Sequence, residues 1–315
     1  MIKVENLTRR YGDFAAVSDV SFSIGQGQIV GLLGHNGAGK TTVMKTLTGY
    51  LEPSEGQVLI AGMDVVENRM AVQDKIGYLP ESSPLYPDML VVQYLEYVCE
   101  MRGVDHNARP SAIRAAIDRT GLESVALKLV STLSKGYKQR VGVAQAIIHN
   151  PEILILDEPT SGLDPAQIHE MRGLIKQLSK NSTVILSTHI LQEVEATCDR
   201  VLIMLQGRLA ADSLLSDLRV SNRLLLEVDR ELEAVQGVLR KIGKIKSIRC
   251  SAVDRGRAQY IVDLERESED IVPRIAKAAV AEGWGLYRLN REQRNLEAVF
   301  REINESGMKG GTHER

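Results

Sequence analysis

Gly34-His35-Asn36-Gly37-Ala38-Gly39-Lys40-Thr41 has the glycine, lysine and threonine spacing of a phosphate-binding loop. Glycines let the backbone curl until several N–H groups point inward at phosphate oxygens, and a helix that follows turns its positive end toward them. Lys40 adds a point charge for the β- and γ-phosphates, and the Thr41 hydroxyl is placed to coordinate Mg²⁺. Thr42, the next residue, belongs to the same nucleotide-binding set. A second group of chemical residues, Asp157-Glu158, follows the apolar run Ile153-Leu154-Ile155-Leu156. Asp157 is suited to holding the Mg²⁺ shell, and Glu158 can orient the attacking water or accept its proton. The chemistry implied is binding and cleavage of a nucleoside triphosphate.

Both groups need strand ends to present them. The loop follows the apolar run Ile29 to Leu33 and precedes a helix-compatible stretch ending near Gly49. Ile153 to Leu156, Val184 to Thr188 and Val201 to Leu205 are likewise rich in Val, Ile and Leu without strict polar alternation, as central strands covered on both faces are. In an open α/β sheet, ligands gather at the carboxyl ends of such strands. Val58 to Ile60, after Pro53, Ser54 and Gly56, reads as a turn-bounded antiparallel strand. Val91 to Arg102 and Ser111 to Thr120 repeat apolar residues at helical spacing, which predicts a helical insertion over about 84–150.

After Gly207 the pattern changes to strand (Leu224 to Val228), helix (Glu231 to Ile242), strands (Ile245 to Cys250, Tyr260 to Leu264), helix (about Ser268 to Glu282) and strand (Trp284 to Leu289), then a last helix near Asn295 to Ile303. The order β-α-β-β-α-β matches a small α+β ferredoxin-like domain. The expected organisation is an α/β nucleotide-binding domain over 1–210, a linker over 211–220, an accessory domain over 221–305 and a tail that frays from Ser306.

Further motifs stand in order along the first 210 residues, and the set resembles the ATP-binding cassette (ABC) family. Leu133-Ser134-Lys135-Gly136-Tyr137 resembles the family signature, with Lys135 and Tyr137 where its commonest form has Gly and Gln. Ser161-Gly162-Leu163-Asp164 resembles the D-loop, and His189 resembles the switch histidine at a strand end. Tyr11 resembles the aromatic that stacks on adenine. Ile76-Gly77-Tyr78-Leu79-Pro80-Glu81 resembles the loop that presents Gln toward metal and membrane partner, with Glu81 in its place. A carboxylate there can coordinate Mg²⁺ but cannot donate as an amide does unless protonated.

The resemblance implies that hydrolysis needs a homodimer in which Ser134, Lys135, Gly136 and Asp164 of one copy close over ATP held by the other. The Lys-Gly-Tyr signature, Glu81, the run from Ser187 to Glu195 and the appended domain look like the drug-export and gliding-motility-type branch, whose subunits work with separate transmembrane permease subunits. Such a protein would sit on the cytoplasmic face of the membrane through the permease.

Composition agrees and narrows the classes. Of 315 residues, 43% are hydrophobic and 25% charged, as in a folded soluble protein. A net charge of −2 carries no general signal for nucleic acid, so none is expected as a partner. No stretch reaches the roughly 18 apolar residues of a membrane span, and the N-terminus lacks the features of a secretory signal. Cys99, Cys198 and Cys250 are scattered, without metal-ligand spacing, which fits a reducing compartment. Arg240, Lys241, Lys244, Lys246 and Arg249 read as a solvated face. The rival class, a soluble ABC ATPase acting on a nucleic-acid or ribosomal partner, commonly carries two cassettes or long coiled coils, whereas this chain has one P-loop and no sustained heptads. Against a nucleotide sensor without hydrolysis stand Glu158 and His189.

Overall fold

The computed structural model describes residues 1–254, 256–265, 270–293 and 296–310. The chain divides into two compact units, Met1–Leu215 together with the chain from Phe300, and Ser216–Val299.

In the first unit, β1 (Ile2–Tyr11) and β2 (Phe14–Ile24) form a hairpin closed at Tyr11↔Phe14. β3 (Ile29–Leu33) enters the phosphate loop and α1 (Lys40–Leu47) leaves it. There follow β4 (Glu55–Ile60), β5 (Met63–Asp64), α2 (Arg69–Asp74) and β6 (Ile76–Leu79). Three helices come next: α3 (Val91–Met101), α4 (Arg109–Thr120) and α5 (Lys135–Ile147). The unit continues through β7 (Ile153–Asp157), α6 (Pro165–Leu178), β8 (Thr183–Thr188), α7 (Leu191–Thr197), β9 (Arg200–Leu205) and β10 (Arg208–Leu214); α8 (Leu215–Arg219) follows and belongs from Ser216 to the second unit.

Two sheets share one core. The antiparallel sheet has the order β2-β1-β4-β5, and the second runs β10-β9-β3-β8-β7-β6, parallel from β9 to β6 with β10 antiparallel at its edge. Every residue of β3, β7 and β8 is buried, which is why these segments read as continuous apolar runs. α1 touches β2, β4 and β7, and one apolar cluster joins Val43, Met44 and Leu47 to Leu7, Val20, Ile60, Leu32 and Ile155. Burying one such side chain is worth about 1.5–3 kcal/mol, so the helix behind the phosphate loop is held on both sides. α3, α4 and α5 pack on one another, and α5 rests on β6 at Gly77, where an added Cβ would strike the Ala146 carbonyl oxygen.

In the second unit, β11 (Val220–Val228), α9 (Leu232–Ile242), β12 (Ile245–Asp254), β13 (Arg257–Leu264), α10 (Ile271–Ala281) and β14 (Leu286–Gln293) are followed by the start of α11 (Leu296–Gly310), whose residues from Phe300 belong to the first unit. The sheet order β12-β13-β11-β14, antiparallel throughout, is the ferredoxin-like arrangement. Leu224, Leu226, Val228, Tyr260 and Val262 on one sheet face bury Val235, Leu239, Ile271 and Ile275 of the two helices.

Some expectations are corrected. Ile76 to Leu79, read as part of a loop, is strand β6, and only Pro80 and Glu81 leave the sheet. The segment 211–220 is not an open linker: β10 runs to Leu214 on β9, and α8 follows. The chain does not lose its helix at Ser306, because α11 runs to Gly310; residues 311–315 lie outside the described residues. The expected helix near Ser268 begins at Ile271, with 266–269 outside the described residues. Strand Trp284 to Leu289 is shifted to Leu286–Gln293.

Candidate functional site

A cleft of ≈ 500 Å³ opens at the carboxyl end of the parallel sheet, lined among others by Tyr11, Asn36, Lys40, Thr41, Glu81 and Glu158. Gly37, Gly39, Thr42 and His189 also border it. The loop's shape depends on Gly39, the residue before α1, which has φ +99° and lies so close to the Ala16 carbonyl that an added Cβ would sit 2.7 Å from that oxygen. Only glycine takes this position without strain. Ala38 is buried beneath the loop.

Lys40 is 6% exposed, and its Nζ donates to the carbonyls of Gly34 at 2.7 Å and His35 at 3.2 Å. The same ammonium lies 3.7 Å from Glu158 Oε1. His189 Nδ1 is 3.1 and 3.0 Å from the two Glu158 oxygens, so the carboxylate stands between a fixed cation and an imidazole half open to solvent. Glu158 has φ +49°, a left-handed backbone uncommon for a residue with a side chain. Its N–H donates to Ser187 Oγ at 3.0 Å, and Ser187 Oγ–H in turn donates to Asp157 Oδ1.

Asp157 is fully buried, and its second oxygen, Oδ2, has no hydrogen-bond partner. A buried carboxylate oxygen left over in this way fits a cation or the water around one. Thr41 and Glu81 on the cleft wall supply further hard oxygen donors, the set that Mg²⁺ prefers. Tyr11, 47% exposed at the end of β1, offers a ring face, and the Arg9 guanidinium lies 5.0 Å from its centre.

The structure brings the signature residues elsewhere. α5 begins at Lys135, and Ser134 is its cap, Oγ accepting from the Tyr137 N–H at 3.4 Å. Gly136 borders a different depression with Arg140, Gln167 and Glu170, outside the cleft. The Lys135 ammonium rests against Gly162 of the D-loop, and Asp164 caps α6, its Oδ1 accepting from the Gln167 N–H at 2.9 Å. Thus the loop, Glu158 and His189 converge within one chain, while Ser134, Lys135, Gly136 and Asp164 form a separate patch.

Residues 17–161 match the ABC transporter family. The bacitracin transport ATP-binding protein BcrA of Enterococcus faecalis is 37% identical over 231 residues, 73% of this chain and 74% of that protein. This chain belongs to the ABC transporter ATP-binding proteins. The likeness to an uncharacterized ABC transporter ATP-binding protein of Bacillus subtilis, YdbJ, extends over 95% of this chain and 94% of the relative at 29% identity. Among solved structures, the dimeric cassette MJ0796 superposes with a TM-score of 0.63 at 25% identity, covering 68% of this chain and 99% of that one. The ABC subunit is an ATP hydrolase that powers a transporter. None of its described helices is long and apolar enough to cross a membrane.

Sequence reasoning passed over several residues around this site. Phe14 lines the cleft beside Ser161 of the segment already read as the D-loop, and Ala16 presses on Gly39. Ser187 enters the sequence reading only as the start of the run to Glu195, although it bonds both Asp157 and Glu158. The Phe300 ring lies 5.2 Å from the ring of His35, a contact between positions so distant in the chain that no local pattern could signal it.

Proposed function

We propose that this protein works as a homodimer in which each ATP is shared between the Lys40 loop of one copy and the Ser134 helix start of the other, on the cytoplasmic face of a membrane-embedded exporter permease. The observation that carries this reading is the position of the signature. Ser134, Lys135 and Gly136 open a helix whose N-terminus is suited to anions, yet they stand outside the cleft that holds the rest of the site. A second copy would supply the missing wall. The dimeric form of the related cassette supports it.

Within each shared site, the backbone of Gly34 to Gly39 and the Lys40 ammonium hold the phosphates, and Tyr11 stacks on the adenine. Thr41, Asp157 and Glu81 would hold Mg²⁺, which when bound neutralises charge on the β- and γ-oxygens. Glu158 takes the proton of the attacking water, and the His189 Nδ1–H fixes the carboxylate's orientation. The Lys135 ammonium of the partner copy adds positive charge at the γ-phosphate.

The link to a permease is supported by a second cleft, ≈ 470 Å³, where α3 faces β6. Tyr50, Met70, Tyr86 and Met101 leave large apolar surfaces exposed there, as a docking groove for a partner helix would. Export as the direction is supported by the bacitracin and multidrug transport proteins among the relatives.

Defined mixed dimers test the sharing. Ser134→Arg chains should bind ATP at their own loop but block the partner's, and Lys40→Ala chains should lose nucleotide while keeping the signature. Their heterodimer has one site with both lesions and one with neither, so activity should partly return. No recovery in proven, folded mixed dimers would refute shared sites.

A further inference from the structure

We propose that Glu193 is a positioning residue for hydrolysis: its buried carboxylate ties the turn that carries Glu158 to the turn that carries His189. This inference rests on the reading that those two residues act on the attacking water. Pairing between β7 and β8 ends at Asp157↔Ser187, so Glu158 and His189 lie just beyond the last pair of that ladder. Backbone hydrogen bonds between these two strands therefore do not set their separation.

Glu193 bridges the gap. It sits in the first turn of α7, is 3% exposed, and accepts one hydroxyl on each oxygen: Thr160 Oγ1–H on Oε1 at 2.5 Å and Thr188 Oγ1–H on Oε2 at 2.7 Å. Thr160 follows Glu158 by two residues and Thr188 immediately precedes His189. Both threonines are buried, and Thr188 Oγ1 also accepts the Ile190 N–H at 3.1 Å, which fixes the chain on the far side of the histidine. The brace thus grips both segments whose side chains meet at 3.0 Å in the cleft.

Packing alone does not call for a carboxylate here. Among the described residues no lysine or arginine pairs with Glu193, and a buried charge without a cation is a costly way to fill space that an apolar side chain could fill. What an ionised carboxylate offers is two strong acceptors at fixed separation, a geometry that neither an amide nor a methyl group reproduces. Such a brace acts on rate through position, since misplacing a reacting group by about 1 Å can cost about 10²-fold.

The test uses the full chain, with ATP hydrolysis followed as phosphate release and Mg-ATP binding measured separately, at temperatures well below each variant's melting. Glu193→Ala should lower kcat by about 10- to 100-fold with KM and ATP affinity changed less than about threefold, because the Lys40 loop is not attached to the brace. Glu193→Gln, which keeps one acceptor, should recover part of that loss. In a Thr160→Val/Thr188→Val background, Glu193→Ala should cost less than about threefold more, since the three residues act as one unit. A kcat within about twofold of the unmodified protein, a loss confined to KM, or losses that multiply independently would overturn the proposal. Should Glu193→Ala fail to fold, the two threonine variants decide it: each must lower kcat at constant KM, and normal turnover in both refutes it. Glu158→Gln is measured in parallel. If it retains turnover, the reading beneath the inference falls and takes it along; if it is inactive while Glu193→Ala is normal, the brace alone is wrong.

Discussion

Replacing Glu158 by Gln separates binding from chemistry more cleanly than any other change at this site. The carboxylate lies 3.7 Å from Lys40 Nζ and 3.0 Å from His189 Nδ1, and is largely shielded from solvent. As a proton acceptor its loss should cost about 10²- to 10⁴-fold in turnover, or roughly 3–5 kcal/mol of barrier. Binding should respond in the opposite sense. At an effective dielectric near 20, a pair at that separation attracts by about 4.5 kcal/mol before the hydration lost by both groups is subtracted, so the net effect is far smaller. Removing the negative member leaves Lys40 more available to phosphate oxygens, and ATP should bind as tightly as before or up to about tenfold more tightly, about 1.4 kcal/mol. The assay pairs phosphate release at saturating Mg-ATP with a calorimetric titration. Near-normal turnover, or a loss of affinity that accounts for the loss of rate, would refute the assignment of Glu158.

Gly39→Ala should cost about 1–3 kcal/mol in stability and weaken ATP binding strongly, because φ +99° and the Ala16 carbonyl leave no place for a methyl group; a melting curve and a titration check both. His149 gives a pH effect. Burial chiefly, with Arg102 nearby, depresses its folded pKa to about 4 against the opposing influence of its bond to the Ile76 carbonyl and of Asp74. The unfolded chain, with a value of about 6.5, binds the proton first, so this contribution is full above about pH 6.5 and is lost as pH falls toward about 4. His149→Gln should flatten that part of the stability profile, read as the difference between the two proteins in denaturant midpoints across the window.

What the sequence discloses and what it conceals divide along physical lines. Strands β3, β7 and β8 are legible because burial on both faces leaves unbroken apolar runs, and the phosphate loop because its backbone demands glycine at fixed offsets. The shorter β6 is lost next to Gly77 and Pro80, which read as loop chemistry although Gly77 is there to admit α5. β10 alternates exposed and half-buried residues at a sheet edge, too weak a signal to displace a linker. Side-chain braces such as Ser187 to Asp157 and Thr160 to Glu193 join positions about thirty residues apart, and hydroxyls and carboxylates carry no periodicity that would announce a partner.

The left-handed backbone of Glu158 has a consequence for anyone improving this protein by directed evolution. Glycine at that position would relax a conformation that costs a side-chain-bearing residue about 1 kcal/mol or more, but it would leave the buried Lys40 without its carboxylate partner, and that loss outweighs the relief. A library sorted on thermal survival or expression yield alone would therefore keep a carboxylate here without testing its chemistry. Selection has to include turnover in every round, because at this one residue the ion-pair partner and the proton acceptor are the same group.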